Sequence, residues 1–467
     1  MSAETDASAG TSPRSQAITP HGAMRQLGAA FAIMVGSRIV GFFREILITL
    51  SFGFSKATDL FFQATFAPTS LLNVLNGPFT TAFLATFNTA EPSERGAWLR
   101  LYRRRALITG FQLAPLFLVG GAVAAWLVPA ADRPAVLLTC ALLTPAAPAI
   151  VVVGYVAAAA NACGQVARAN ALGGLMNLAF VCGVLALSIR SGAGQAWMLP
   201  AAFTLAAIAA SILGWRWLDG MADGQAAGWG PQSARLQARR LPGLRRSFLL
   251  ALAEHGGSLI TQFIVLALAT HAGVGWASAA ALAQRLCLTA IGLIVFPVAN
   301  LVAVAVMRST GHAARLFALT TMAVVGGSTV AALALLWLRE PLQAALVSGS
   351  RLDAASARLL VELIAPFAAW MVALATNLIA NRVLFAIGRG RLCVVVTLAG
   401  YALANIARLT AGLQGDFALA IALGAFVEVA LAASLAAITF VLLRRRAGAA
   451  ELLAPLSGAQ VQAPQVP

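Results

Sequence analysis

Long apolar runs separated by short polar stretches dominate the chain. A membrane-spanning helix needs about 20 predominantly apolar residues. Read at that length, the runs place spans near 27–51, 58–88, 106–128, 135–160, 169–189 and 196–215, and a second set near 247–270, 276–306, 316–338, 356–386, 392–412 and 416–443. The pattern predicts an all-α integral membrane protein with about twelve transmembrane helices in two six-helix lobes around a central cavity. The stretch 217–246 holds no apolar run and is the natural cytoplasmic linker between a lobe over 25–216 and a lobe over 247–446. Residues 1–24 are rich in Ser, Thr, Ala and Gly, and 447–467 in Ala, Gln and Pro; both read as disordered tails. The first apolar run is not a cleavable signal, because Arg38, Arg44 and Glu45 lie inside it. A faint repeat links the halves: Gly36-Ser37 with Gln63, and Gly257-Ser258 with Gln284 at the same separation. Such a repeat would be parallel, about an axis along the membrane normal. Small residues recurring at packed helix contacts are the blander explanation.

Composition sharpens the class. Of 467 residues, 60% are hydrophobic and only 10% charged, against about 25% charged in a soluble domain. Continuous rather than alternating apolar runs argue against a β-barrel. The net charge of +16 is topological. With the N-terminus in the cytoplasm, 22 of the 32 Lys and Arg fall on the cytoplasmic side, 7 outside and 3 within spans. That asymmetry follows the positive-inside rule and puts both termini in the cytoplasm of a multi-pass inner-membrane protein. Arg408 is assigned to the outer side and Arg382 to the inner. Nucleic-acid binding is therefore a poor reading. The five cysteines form no CxxC pair and the four histidines no ligand spacing, so no metal or cofactor is expected. With no P-loop, GxSxG or HExxH, the chain is not read as an enzyme.

The first span carries the chemistry. In Gly36-Ser37-Arg38-Ile39-Val40-Gly41-Phe42-Phe43-Arg44-Glu45, helical spacing puts Ser37, Arg38, Gly41, Arg44 and Glu45 on one face. An arginine at the bilayer centre costs about 2.5–3.5 kcal/mol. Arg38, Arg44 and Arg285 together cost on the order of 8–10 kcal/mol before compensation. Such groups persist only where they face water, acids or an anionic ligand. One reading is a hydrated cationic cavity for phosphate, since the guanidinium fork donates paired hydrogen bonds and stays charged. The other is internal neutralisation by Glu45, Asp59, Glu254, Glu362 or Glu428. Glu45 is expected to orient Arg44, and Asp59 to cap its own helix. Glu254 and His255 read as a proton or cation site or as an interhelical contact. The second span, with Pro68, Asn73, Asn76, Gly77 and Pro78, is expected to be broken.

These residues carry a resemblance. The run from Gly36 to Glu45, followed by Phe52-Gly53, Ala57-Thr58-Asp59 and Phe61-Phe62, resembles the opening of the MurJ/MviN lipid II flippase family, which reads roughly S-R-x-x-G-F-x-R-[DE], then F-G and A-T-D-x-F-F. Pro68, Leu71-Leu72, Ala82-Phe83, Asn161, Asn177 and Gln284-Arg285-Leu286 match more thinly. The resemblance implies the fold of the multidrug/oligosaccharidyl-lipid/polysaccharide exporter superfamily and alternating access. It implies an undecaprenyl-diphosphate-linked saccharide as cargo, bound by Arg38, Arg44 and Arg285 with Glu45 and Asp59 as the site's acids. Asn73 and Gln63 are candidates to hydrogen-bond the sugar. Membrane lipid is the other expected partner, and the chain is expected to act as a monomer. Two features depart from the family: Asn73-Val74 stands where an arginine pair is usual, and the chain has about twelve spans where many members have fourteen. An exopolysaccharide precursor is therefore a competing cargo. A multidrug cation antiporter is the rival of another class, and it would need an anionic cavity.

Overall fold

The structure, a computed structural model, describes residues 20–87, 94–127, 130–163, 165–191, 195, 197–223, 244–308, 312–349 and 354–457. Among them there is no strand. The helices are α1 (Pro20–Phe52), α2 (Lys56–Val74), a π-helical segment (Leu75–Phe79), α3 (Thr80–Phe87), α4 (Arg95–Leu127), α5 (Arg133–Leu143), α6 (Ala146–Ala162), α7 (Val166–Ser191), α8 (Met198–Asp223), α9 (Leu244–Ala272), α10 (Trp276–Arg308), α11 (Ala313–Trp337), α12 (Arg339–Gly349), α13 (Ala354–Ala386), α14 (Gly390–Gly412) and α15 (Phe417–Ser457). Seven are individually long and apolar enough to cross a membrane, and the bent pair α5–α6 passes as one further span. With α2, the π segment and α3 taken as one, and α5–α6 as another, the described residues hold twelve membrane-length segments. The short α12 was not expected. It is too brief to register as an apolar run and begins Arg339-Glu340.

Helices extend into the regions read as tails. α1 begins at Pro20, whose fixed φ suits the first helical turn. α15 runs to Ser457 through Ala447–Leu453, rich in strong helix formers. Residues 1–19, 458–467 and the middle of the expected linker, 224–243, lie outside the described residues.

Two breaks differ from expectation. The fourth span, read as continuous, turns by 41° between α5 and α6 at Thr144-Pro145, because proline cannot supply the N–H that would continue the ladder. The second span, read as broken, runs straight through Pro68. It then widens into the π segment at Leu75-Asn76-Gly77-Pro78-Phe79, and the Thr80 hydroxyl donates to the Leu75 carbonyl at 2.9 Å. The Thr80 amide reaches the same carbonyl, so the π turn carries the helix past Pro78 without a cut. Leu75 packs so closely on α6 that a Cβ at Gly154 would lie 2.4 Å from the Leu75 Cβ. Gly154→Ala is expected to cost about 1–3 kcal/mol and to lower the thermal midpoint in detergent. Gly36→Ala, where a Cβ meets nothing within 4 Å, should leave the midpoint unchanged.

Burial divides into two cores. One joins α1 to α8 through Phe83, Ile150, Leu172, Phe180 and Ala206. The other joins α9 to α15 through Ala283, Phe317, Leu363, Ile379 and Leu435. The lobes meet along α1 with α10 and along α2, the π segment and α3 with α9. Phe66–Phe263 (5.9 Å) and Phe79–Phe248 (6.1 Å) are ring contacts across that seam.

Candidate functional site

The arginine-bearing face of α1 turns out to have two uses. Its small residues pack: a Cβ at Gly174 of α7 would meet Ser37 at 3.0 Å, and one at Gly41 would meet Asn177 at 3.1 Å. Ser37 and Gly41 therefore let α7 approach and do not line an opening. Asn177 then reaches the next turn of α1 and accepts from Arg44 Nη1 at 2.7 Å. The Arg44 guanidinium also lies 5.6 Å from the centre of the Phe180 ring. Asn177 and Phe180 are one turn apart on α7, so that helix is the cradle that orients Arg44. Asn177 was read only as a weak family match, because its pairing with α1 is a tertiary contact.

Glu45 is buried and sits between lobes. Arg44 Nη2 donates to its Oε1, and Arg285 Nε of α10 lies 3.8 Å from the same oxygen. Arg44 and Arg285 stand eight and nine residues from the turn-proximal ends of α1 and α10, at roughly 12–14 Å depth, so the two helices deliver them to one level. Arg38 is exposed, and Arg285 feels the charges of Glu45, Arg44 and Arg38 together. The structure thus brings Arg38, Arg44, Glu45 and Arg285 together. Two guanidiniums, those of Arg44 and Arg285, share the Glu45 carboxylate, and Arg38 lies in electrostatic reach of Arg285. Arg44 Nε and Glu45 Oε2 are buried without a partner, and the Arg285 side chain remains 38% exposed. The cluster is a cationic site with donors to spare.

Asp59 does not belong to it. Neither does it cap its own helix: Ser55 caps α2, with Thr58 completing the capping box. The Asp59 carboxylate crosses to the other lobe. Oδ2 accepts from the Gly275 amide at 2.7 Å, and Oδ1 accepts from the Ser278 amide at 2.8 Å and lies 2.6 Å from the Ser278 hydroxyl. It caps the first turn of α10, where free amides and the helix dipole favour a negative charge. Gly275, at φ +89, turns the chain so that its amide points at Asp59. One turn along α2, Gln63 donates to Thr270 at 2.9 Å, so Gln63 too is an interlobe contact. These bonds make a latch at the turn end of the seam. Asp59→Asn is expected to shift the lobe equilibrium toward separation by on the order of 10-fold, since one amide hydrogen must then face the backbone donors. Oxidative cross-linking of a Gln63→Cys/Thr270→Cys pair measures that shift; an unchanged yield would remove the latch.

Asn73 also stands apart. It is exposed on α2, about 26 Å along that helix from Lys56. That is close to the level of Arg38 and more than about 10 Å deeper than Arg44.

Two further charges differ from the sequence reading. Arg408, assigned to the outer side, is 1% exposed inside the second lobe. It bonds Glu428 of α15 at 2.8 Å and Asn405 at 3.3 Å. Arg382, assigned to the inner side, lies within α13 and is coupled to Glu254, which accepts from Asn381 at 2.7 Å. Among the described residues no group of His, Cys, Asp or Glu could hold a metal.

No family model matches the chain, and no curated protein matches it. Solved structures do. A lipid II flippase MurJ in an inward closed conformation aligns with TM-score 0.67 and 14% identity, covering 88% of this chain and 89% of that one. An inward-facing multidrug resistance MATE family transporter of the MOP superfamily aligns with TM-score 0.64 and 14% identity over 90% and 94%. A MOP superfamily transporter from Pyrococcus furiosus Vc1 (DSM3638) aligns with TM-score 0.64 and 12% identity over 91% and 96%. At these identities the likeness establishes the fold, which a flippase and multidrug transporters share.

Proposed function

We propose that this protein is a flippase that moves a polyprenyl-diphosphate-linked saccharide, lipid II-like or an exopolysaccharide precursor, across the inner membrane by alternating access. The fold suits this reading and a multidrug cation antiporter alike; the charge at the seam supports the flippase. The observation that carries the proposal is two guanidiniums, one from each lobe, on one carboxylate, with a third, Arg38, in electrostatic reach of Arg285. A diphosphate diester brings two negative charges and several acceptor oxygens. It can take over the donors of Arg44 and Arg285 that Glu45 occupies, with Arg38 beside them. A cationic drug would be repelled there.

In this reading Glu45 is a placeholder. It balances Arg44 and Arg285 until cargo arrives, and then yields. The basic asymmetry of the sequence supports cytoplasmic termini; with that orientation the Asp59 latch would close the external side while cargo loads from the cytoplasm. Release of Asp59 from α10 would open that side. Membrane potential can drive the cycle, since each elementary charge moved across 100 mV is worth about 2.3 kcal/mol. Arg38, Arg44 and Arg285 are the substrate-binding residues of the proposal. Asn73, near the level of Arg38, would meet the saccharide.

The deciding experiment reconstitutes the full chain in vesicles and measures arrival of a polyprenyl-diphosphate saccharide at the far leaflet beside ethidium efflux. Translocation without efflux supports the flippase; efflux lost in an Arg38→Ala/Arg44→Ala variant, with no lipid movement in either protein, gives the site to drug transport. Complementation of a lipid II flippase-depleted strain separates lipid II from other saccharides.

A further inference from the structure

The lipid-facing side of α4 and α8 carries a second cationic feature, independent of the cargo site. On α4, Arg104, Ile108, Phe111, Pro115 and Leu118 are all exposed and recur at helical spacing, so they form one outward stripe. On α8, Leu205, Ala209, Ile212 and Arg216 do the same. The two helices run antiparallel in sequence order and are tied at one level. Arg103 bonds Asp219, and its guanidinium lies 4.5 Å from the centre of the Trp215 ring. That tie consumes Arg103 and neutralises Asp219. It leaves Arg104 and Arg105 on one side and Arg216 on the other, and none of the three has a carboxylate partner among the described residues.

Position gives these arginines meaning. Arg104 lies nine residues into α4 and Arg216 seven residues before the end of α8, roughly 10–14 Å from the helix ends. Each marks the point where an exposed apolar stripe begins. A solvated basic loop would not be followed at once by exposed Ile108, Phe111 and Ile212. A bare membrane surface would not require the charges of two helices to be locked at a common height. The combination fits one molecule: acyl chains along the stripes and a phosphodiester under the guanidiniums, which bind phosphate by paired donors.

We propose that the α4–α8 face is a binding site for an anionic glycerophospholipid, held by Arg104, Arg105 and Arg216 above the Ile108/Phe111/Ile212 stripes. It would brace the first lobe from the lipid side, away from the seam. Native mass spectrometry of the full chain, titrated with phosphatidylglycerol or phosphatidylcholine, tests this. The wild type should retain phosphatidylglycerol with a preference on the order of 10- to 100-fold. Arg104→Gln/Arg105→Gln/Arg216→Gln should erase that preference. Arg444→Gln/Arg445→Gln/Arg446→Gln is the control: it removes three exposed arginines from the second half of α15 and should keep the preference. Glycerol phosphate, a headgroup without chains, should not displace the lipid. Equal losses in both triple variants would reduce the effect to a diffuse positive field and overturn the site, as would displacement by glycerol phosphate. Should the triple variant not be recovered folded, Phe111→Gln, which leaves every arginine in place, must still weaken retention for the proposal to stand.

Discussion

Arg44→Ala is expected to slow translocation of a polyprenyl-diphosphate saccharide by on the order of 100-fold, with folded protein still recovered. The size follows from what Arg44 does. It is held from three sides, by Asn177, Phe180 and Glu45, so its geometry is set before cargo arrives. Arg44→Lys should recover only part of the rate, because an ammonium is a point charge and cannot offer the planar fork. The more telling variant is Glu45→Gln. If Glu45 is a placeholder, removing its charge frees Arg44 and Arg285 for the ligand. Pyrophosphate should then bind about tenfold more tightly, while turnover falls because the cargo leaves reluctantly. If the pair were only structural, Glu45→Gln would weaken the seam and leave pyrophosphate affinity untouched. Titration calorimetry with pyrophosphate, beside the vesicle assay, reads both signs. Unchanged affinity would leave the diphosphate clamp without support.

Local signals in the chain reach as far as the elements and the charges, and stop at the partners. An arginine inside an apolar run is visible without knowing the fold, so Arg38, Arg44 and Arg285 stand out. So do the spans, since twenty apolar residues in a row admit few other uses. What binds each charge is different. Asp59 sits near a helix start, and a cap on its own helix was the economical reading. Its acceptors are filled instead from positions 216 and 219 residues away, and nothing in the sequence near Asp59 announces them. The polar face of α1 misled in a similar way. Ser37 and Gly41 share it with the arginines, yet they serve close packing on Gly174 and Asn177. The bend at Pro145 and the π segment at Leu75–Phe79 were exchanged for the same reason. A proline marks where a hydrogen bond is lost, but not whether the helix widens into a π turn that carries it past the gap, as at Leu75–Phe79.

Arg408 makes the same point at greater energetic cost. It lies near the middle of α14's second half, fully buried, against Glu428 on α15. Gly424 leaves the room: a Cβ there would sit 2.3 Å from Arg408 Nε. The Trp370 indole lies beside the Glu428 carboxylate. Both charges have been taken out of water, so their pairing offsets desolvation and adds little net stability. Removing one partner is a different matter. Arg408→Leu leaves the Glu428 carboxyl in an apolar interior without its charge partner, and should destabilise the second lobe by about 3–5 kcal/mol. The double variant Arg408→Leu/Glu428→Leu removes both charges and should return close to the wild-type thermal midpoint, because apolar groups of similar volume replace a buried pair at little cost. Thermal unfolding in detergent, followed by the near-ultraviolet signal, compares the three proteins. A single variant as stable as the wild type would mean that Glu428 finds another partner or water. A double variant as unstable as the single would mean that the arginine's packing, and not its charge, holds α14 against α15.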